Sequence, residues 1–113
     1  MTDGPIVPVR VMMVDDDPLV LTVFAKELDA QPTVSVCATA AGGEQALETL
    51  SSRRHRIDVV LLDISMPGLN GIQTARAIHR NLPDLPIVMF TAFSDERTLS
   101  EAIRSSRFQG RLQ

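Results

Sequence analysis

The chain has 113 residues, of which 44% are hydrophobic and 22% are charged, and its formal net charge is −3. This length predicts one domain with a buried core, and the slight acidity argues against a basic nucleic-acid-binding surface. The single cysteine, Cys37, excludes an internal disulfide bond, and its apolar neighbours predict a buried, unreactive thiol. No apolar stretch has the length of a membrane span, so we expect a cytoplasmic protein.

Strands and helices alternate along the chain after a leader, residues 1–8, whose glycine and prolines predict a flexible tail. Aliphatic runs predict strands over residues 9–14, 34–38, 58–62 and 86–91. Apolar residues at helical spacing predict helices from Pro18 to before Pro32, over residues 44–52 and 72–81, and from Ser94 or Asp95 to Ile103. The short connections predict right-handed βαβ units and a parallel sheet.

Asp63 is the first candidate site residue. Four consecutive aliphatic residues, 59–62, run directly into it, and such an unalternated run predicts a strand that is buried on both faces. Ligands of open α/β sheets bind at the carboxyl ends of the strands, which is where Asp63 would lie. An aspartate that caps the following loop or helix is an equally good interpretation of this residue by itself.

Polar residues also follow two other predicted strands. Asp15 and Asp16 come after the first strand, and Thr91 comes at the end of the fourth. Parallel strands bring their carboxyl ends to one edge of the sheet, so these residues and Asp63 should converge. Carboxylates this close repel one another unless a cation binds or their pKa values rise. An all-oxygen pocket with few side-chain ligands suits Mg²⁺.

Several neighbouring residues have plainer interpretations. Asp17 precedes Pro18, a pair that is typical of a helix start, so we expect Asp17 to cap the helix and not to bind metal. Thr91 by itself is compatible with an ordinary strand threonine. The arginines at positions 53, 54 and 56 follow a predicted helix and are expected to complement its dipole.

The motifs at these three strand ends resemble those of response-regulator receiver domains, the phosphoacceptor modules of two-component signalling. They read Val14-Asp-Asp16, Leu62-Asp-Ile-Ser-Met-Pro-Gly-Leu-Asn-Gly71 and Phe90-Thr-Ala-Phe93. The resemblance covers residues 9–104 and implies a doubly wound, flavodoxin-like sheet with strand order 2-1-3-4-5. It also implies a protein that accepts a phosphoryl group from a histidine kinase and is not a turnover enzyme. Many relatives carry a helix-turn-helix output domain, through which a longer protein would contact DNA.

The resemblance assigns a role to each candidate residue. Asp63 would be the phosphoacceptor. Asp16 would bind Mg²⁺ directly, Asp15 would act beside it or through a water molecule, and Asp63 and the backbone carbonyl of Ser65 would complete the protein ligands. Thr91 would hydrogen-bond a phosphoryl oxygen and draw in the following loop, which is the signalling switch.

The end of the chain departs from the family pattern. The only lysine is Lys26, and family spacing places Gln113 where receivers carry a lysine beside the phosphoacceptor. Residues 105–113 predict an edge strand or an atypical tail, with the fifth strand and last helix degraded or missing through truncation, an altered reading frame or degeneration. Reduced stability and a homodimer or strand-exchanged oligomer would follow.

Two other functions remain open at this stage. The first is a pseudo-receiver, which keeps the fold and binds a partner independently of phosphorylation; the missing lysine favours it, and the intact acids oppose it. The second is a phosphatase of the haloacid-dehalogenase type, because Asp15 and Asp17 are two acids two residues apart after a first strand. Such enzymes need further acids and usually a cap, for which this chain has little room.

Overall fold

The computed structural model describes residues 7–63, 66, 71–90 and 103–104. Its strands and helices are β1 Val9–Val14, α1 Pro18–Asp29, β2 Val34–Ala40, α2 Gly43–Ser52, β3 Val59–Asp63, α3 Gly71–Asn81 and β4 Ile87–Phe90. The four strands are parallel, in the order β2-β1-β3-β4. The predicted doubly wound α/β fold is therefore confirmed over these strands. The predicted fifth strand, residues 105–113 and most of the leader lie outside the described residues.

Both faces of the central strands are buried, which explains the unalternated aliphatic sequence of β3. Alternate residues of β1 and β3 point to opposite faces of the sheet. One core cluster contains Val11, Met13 and Leu61 and packs against α1 through Phe24. The other cluster includes Met12, Val14, Val60 and Leu62 and contacts α2 and α3 through Ala46 and Ile78. Helices thus cover both faces, and every residue of β3 is buried.

Strand β2 ends two residues later than predicted and contains a β-bulge. Val11 of β1 pairs with Val36, but the next residue, Met12, pairs with Ala38, so Cys37 is an extra residue in β2. A bulge of this kind changes which face the following side chains point to. Val36 accordingly packs with the α1-side cluster, whereas Ala38 packs with the cluster beside α2 and α3.

Helix α1 begins as the sequence predicts. The Asp17 carboxylate accepts hydrogen bonds from the backbone N–H groups of Leu19, at 2.9 Å, and Val20, at 3.4 Å. Pro18 occupies the first turn, where a missing N–H group costs nothing. The cap fixes the path of the chain from β1 into α1, and so the position of the acids between them. No helix among the described residues is long and apolar enough to cross a bilayer.

Candidate functional site

The predicted acids meet at the carboxyl edge of the sheet. Val14 of β1 pairs with Leu62 of β3, so the next residues, Asp15 and Asp63, lie at the same level of adjacent strands. Asp16 follows one residue later. One carboxylate oxygen from each of the three acids lies within 4.8 Å of the other two. The convergence that the parallel topology predicts is therefore present in the structure.

The three carboxylates differ in their exposure to solvent. Asp15 is 2% exposed and Asp63 is 7% exposed, whereas Asp16 faces solvent. The backbone N–H of Asp15 donates to the Ala40 carbonyl at 3.1 Å, and its carboxylate accepts from the backbone N–H of Asp17 at 2.8 Å. Asp15 is consequently held in place on both its backbone and its side chain, while Asp16 is accessible from outside.

Burial and negative charge change the acidity of this site. Removal from water raises the pKa of the Asp15 carboxyl group from 3.8 to about 6, against the opposing effect of the Asp17 N–H hydrogen bond. The negative charges of the Asp63, Asp16 and Asp17 carboxylates contribute to this rise. Bringing these acids together therefore has an electrostatic cost, which a bound cation would offset.

The set of donor atoms fits a divalent metal ion. Three carboxylate oxygens within reach of one another form a hard, anionic ligand set, and Mg²⁺ binds such sets with water completing its shell. Receiver domains bind Mg²⁺ at an acidic pocket of this kind. Asp17 is not part of this set, because its carboxylate caps α1.

Two predicted site residues, Ser65 and Thr91, lie outside the described residues, and their roles stay predictions. Thr91 follows Phe90, which pairs with Asp63 on the adjacent strand. Lys26 lies in the last turn of α1. Lys26 lies nine residues after Asp17, the N-cap residue of α1 that directly follows the acids of the site, which corresponds to about 13 Å along the helix axis. The only lysine is therefore remote from the acids.

Sequence reasoning missed two features of the described residues. Thr74 on α3 is fully buried. Together with Asp15 and Asp63, it is one of the three polar or charged residues that are buried in the described part of the chain. Its spacing from Gly71 and Ile78, also buried in α3, was the available signal. Cys37 was expected to be buried but is only partly so, because the bulge displaces it. Burial still raises the pKa of its thiol, which keeps it protonated near neutral pH.

Comparisons with known proteins agree with the motifs and the fold described above. A family model described as the response regulator receiver domain matches residues 11–109. A protein-glutamate methylesterase/protein-glutamine glutaminase of Nitrosospira multiformis is 38% identical over 87 residues, which cover 77% of this chain and 24% of that protein. The transcriptional regulatory protein LnrK of Bacillus subtilis is 32% identical over 95 residues, covering 84% and 42%.

Solved structures agree on the fold. The structure of a response regulator receiver domain protein from Clostridium thermocellum superposes with a TM-score of 0.80 at 19% identity, covering 92% of this chain and 98% of that one. The chain spans less than half the length of the two curated relatives above. The similarity thus concerns the part of those proteins that carries the receiver sequence.

Proposed function

Because the chain belongs to the response regulator receiver domain family, we propose that Asp63 accepts a phosphoryl group from the phosphohistidine of a histidine kinase. The observation that supports this proposal is the position of Asp63 at the end of a fully buried strand, with the carboxylates of Asp15 and Asp16 within 4.8 Å. A nucleophile at the end of a rigid central strand is fixed for in-line attack.

The proposed reaction uses the Asp63 carboxylate as the nucleophile. One of its oxygens attacks the phosphorus atom, a P–O bond forms, and the P–N bond to the kinase imidazole breaks with its electron pair left on nitrogen. The carboxylates of Asp15, Asp16 and Asp63 and the backbone carbonyl of Ser65 would hold Mg²⁺, which would offset the negative charge of the phosphoryl group. The Asp15 carboxylate is held by the Asp17 N–H group, so we assign Asp15 the role of a metal ligand and not that of the nucleophile.

The signalling step of the proposal involves Thr91. Its hydroxyl group would donate a hydrogen bond to a phosphoryl oxygen and draw the loop after β4 towards Asp63. Lys26 is too far away to contact the phosphoryl group, so the negative charge of that group would be offset by Mg²⁺ at the acids and by hydrogen bonds. We expect phosphorylation to be slower than in receivers that carry the usual lysine.

The partners and setting of this receiver are also proposals. The phosphodonor would be a histidine kinase, and a second copy of the chain would form a homodimer or strand-exchanged oligomer. DNA would be contacted only through a helix-turn-helix domain of a longer, cytoplasmic protein. The relatives include both a transcriptional regulatory protein and a methylesterase, so either kind of output is compatible with this receiver. The proposed receiver unit is residues 9–104, and the chain would not act as a turnover enzyme.

The experiment is phosphorylation by acetyl phosphate with Mg²⁺, followed by intact-mass measurement. We expect the wild type to gain the mass of one phosphoryl group, and EDTA to prevent the gain. Asp63→Asn should gain nothing, whereas Asp17→Asn, a matched loss of one carboxylate beside the site, should be labelled. A wild type that stays unlabelled beside a labelled standard receiver, or an Asp63→Asn variant labelled like the wild type, would contradict the proposal.

A further inference from the structure

A groove lies at the amino edge of the sheet, away from the acids. It is a cleft of about 600 Å³ that is lined by Arg53, His55 and Arg56 from the segment before β3 and by Leu82, Leu85 and Pro86 from the segment before β4. We call it the amino-edge groove. A second hollow of about 280 Å³, between α2 and α3, shares Arg53 and Leu82 with it. The groove by itself is large enough for a small organic molecule.

This groove is separate from the acidic site. Asp58 lines the groove directly before β3 begins, whereas Asp63 ends that strand. Five residues of extended chain span about 16 Å. A ligand in the groove would therefore not contact the acids, and its binding would not depend on phosphorylation of Asp63.

Arg53 has a backbone conformation that its residue type disfavours. It follows the last turn of α2 with φ 54° and ψ 24°, and it is the one non-glycine residue with positive φ in the described part of the chain. Glycine is the common choice at such a helix end, because a Cβ atom is strained there. Strained residues of this kind cluster at binding sites, where the side chain is needed. The Arg53 side chain borders the groove and the second hollow.

The segment that carries Arg56 is attached to the sheet. The Arg10 side chain donates to the Arg56 carbonyl at 2.8 Å, and the Arg10 backbone N–H donates to the Asp58 carboxylate at 2.9 Å. The Arg56 guanidinium lies 3.6 Å from the Asp58 carboxylate, yet its side chain is 68% exposed. The backbone of this segment is thus held against the sheet, while the Arg56 guanidinium remains open to solvent.

The charged and apolar residues that line the groove together indicate the chemical class of its ligand. Arg53, Arg56 and His55 supply donors, and Asp58 and Asp84 are the acids that also line the groove. The Asp58 carboxylate accepts the Arg10 backbone N–H and lies beside the Arg56 guanidinium, so these two opposite charges offset each other, whereas the Arg53 guanidinium has no ion pair among the described residues. Guanidinium groups bind phosphate and carboxylate groups with paired hydrogen bonds. We propose that the amino-edge groove binds a small organic anion, with its apolar body against Leu82, Leu85 and Pro86 and its phosphate or carboxylate group at Arg53 and Arg56.

The test is a titration of the ¹⁵N-labelled full chain with 1-naphthyl phosphate, in EDTA so that metal at the acids is removed. We expect saturable shifts of the backbone signals around Arg53 and Leu82, none at Asp63, and a Kd of about 1 mM or tighter. 1-Naphthoate distinguishes a carboxylate from a phosphate preference. Uncharged 1-naphthol and inorganic phosphate should each bind at least about tenfold more weakly, because each lacks one half of the recognition.

Arg53→Gly separates binding from folding, since glycine suits the backbone at this position. We expect it to weaken binding at least about tenfold while the melting temperature is kept or raised. Arg54→Ala is the matched control, because it removes the same charge from the next residue, which does not line the groove. Unsaturable shifts, equal binding of naphthol, or equal weakening by both substitutions would overturn the proposal.

Discussion

Asp15 shows how the site combines burial with charge. It is 2% exposed and has two other carboxylates within reach, so its ionised form is disfavoured in the folded protein. The sequence predicts the meeting of these acids, because parallel strands bring their ends together. It does not predict which of the adjacent acids Asp15 and Asp16 is buried, since that depends on the Ala40 carbonyl and the Asp17 N–H group, which hold Asp15 in place. The contact with Ala40 is set by the tertiary fold, whereas the contact with Asp17 is local.

Asp15 should make the metal-free protein less stable as the pH rises. The pKa of the Asp15 carboxyl group is about 6 in the folded protein, whereas its ordinary value is 3.8, so folding favours the protonated form. The resulting stabilisation is complete below pH 3.8 and is lost as the pH rises through 6; it amounts to roughly 1 to 3 kcal/mol. In EDTA, we expect Asp15→Asn to match the wild type near pH 4 and to exceed it in unfolding free energy by roughly that amount at pH 7.

Urea unfolding of both proteins between pH 4 and 7 measures this difference. The comparison of the two proteins cancels the titration of the carboxyl groups that do not interact with Asp15. A difference in unfolding free energy that does not change with pH would show that Asp15 does not titrate in this range.

At the scale of the elements, the bounds follow from local chemistry where the residues are distinctive. The Asp17-Pro18 pair gives the start of α1, and the aliphatic run gives β3 to within one residue. Strand β2 is the exception, because no residue type marks its bulge. Val36 and Ala38 are two residues apart and would share a face in a regular strand. The pairing with β1 places them on opposite faces, which only the sheet register reveals.

The cap of α1 should contribute to stability through hydrogen bonds and not through charge. Asp17→Ala removes the acceptor for the N–H groups of Leu19 and Val20, so we expect a loss of about 1 kcal/mol in unfolding free energy. Asp17→Asn retains an acceptor oxygen and should cost only a few tenths. Urea midpoints at pH 7 distinguish the two variants. Equal losses would mean that the negative charge, and not the cap, is the stabilising feature.

For the whole molecule, the two outer strands of the described sheet differ in how they are protected. Strand β2 has a bulge, and the Asp29 carboxylate accepts a hydrogen bond from its Val36 N–H group at 2.8 Å. Strand β4 is apolar throughout, Ile-Val-Met-Phe, and its Met89 side chain is 37% exposed. Bulges and polar groups discourage pairing between molecules, whereas apolar outer strands favour it. Among the described strands, β4 is therefore the one on which we predict pairing with a second copy of the chain.

We expect the protein to self-associate through β4 as its concentration rises, because apolar side chains would leave water on pairing. Sedimentation velocity over a range of concentrations measures this. Met89→Lys places a charge on the exposed position of β4 and should shift the protein towards the monomer. Thr39→Lys makes the same addition at an exposed position of β2 and should leave the association unchanged. A wild type that remains monomeric at all concentrations, or equal effects of the two lysines, would exclude β4 as the site of pairing.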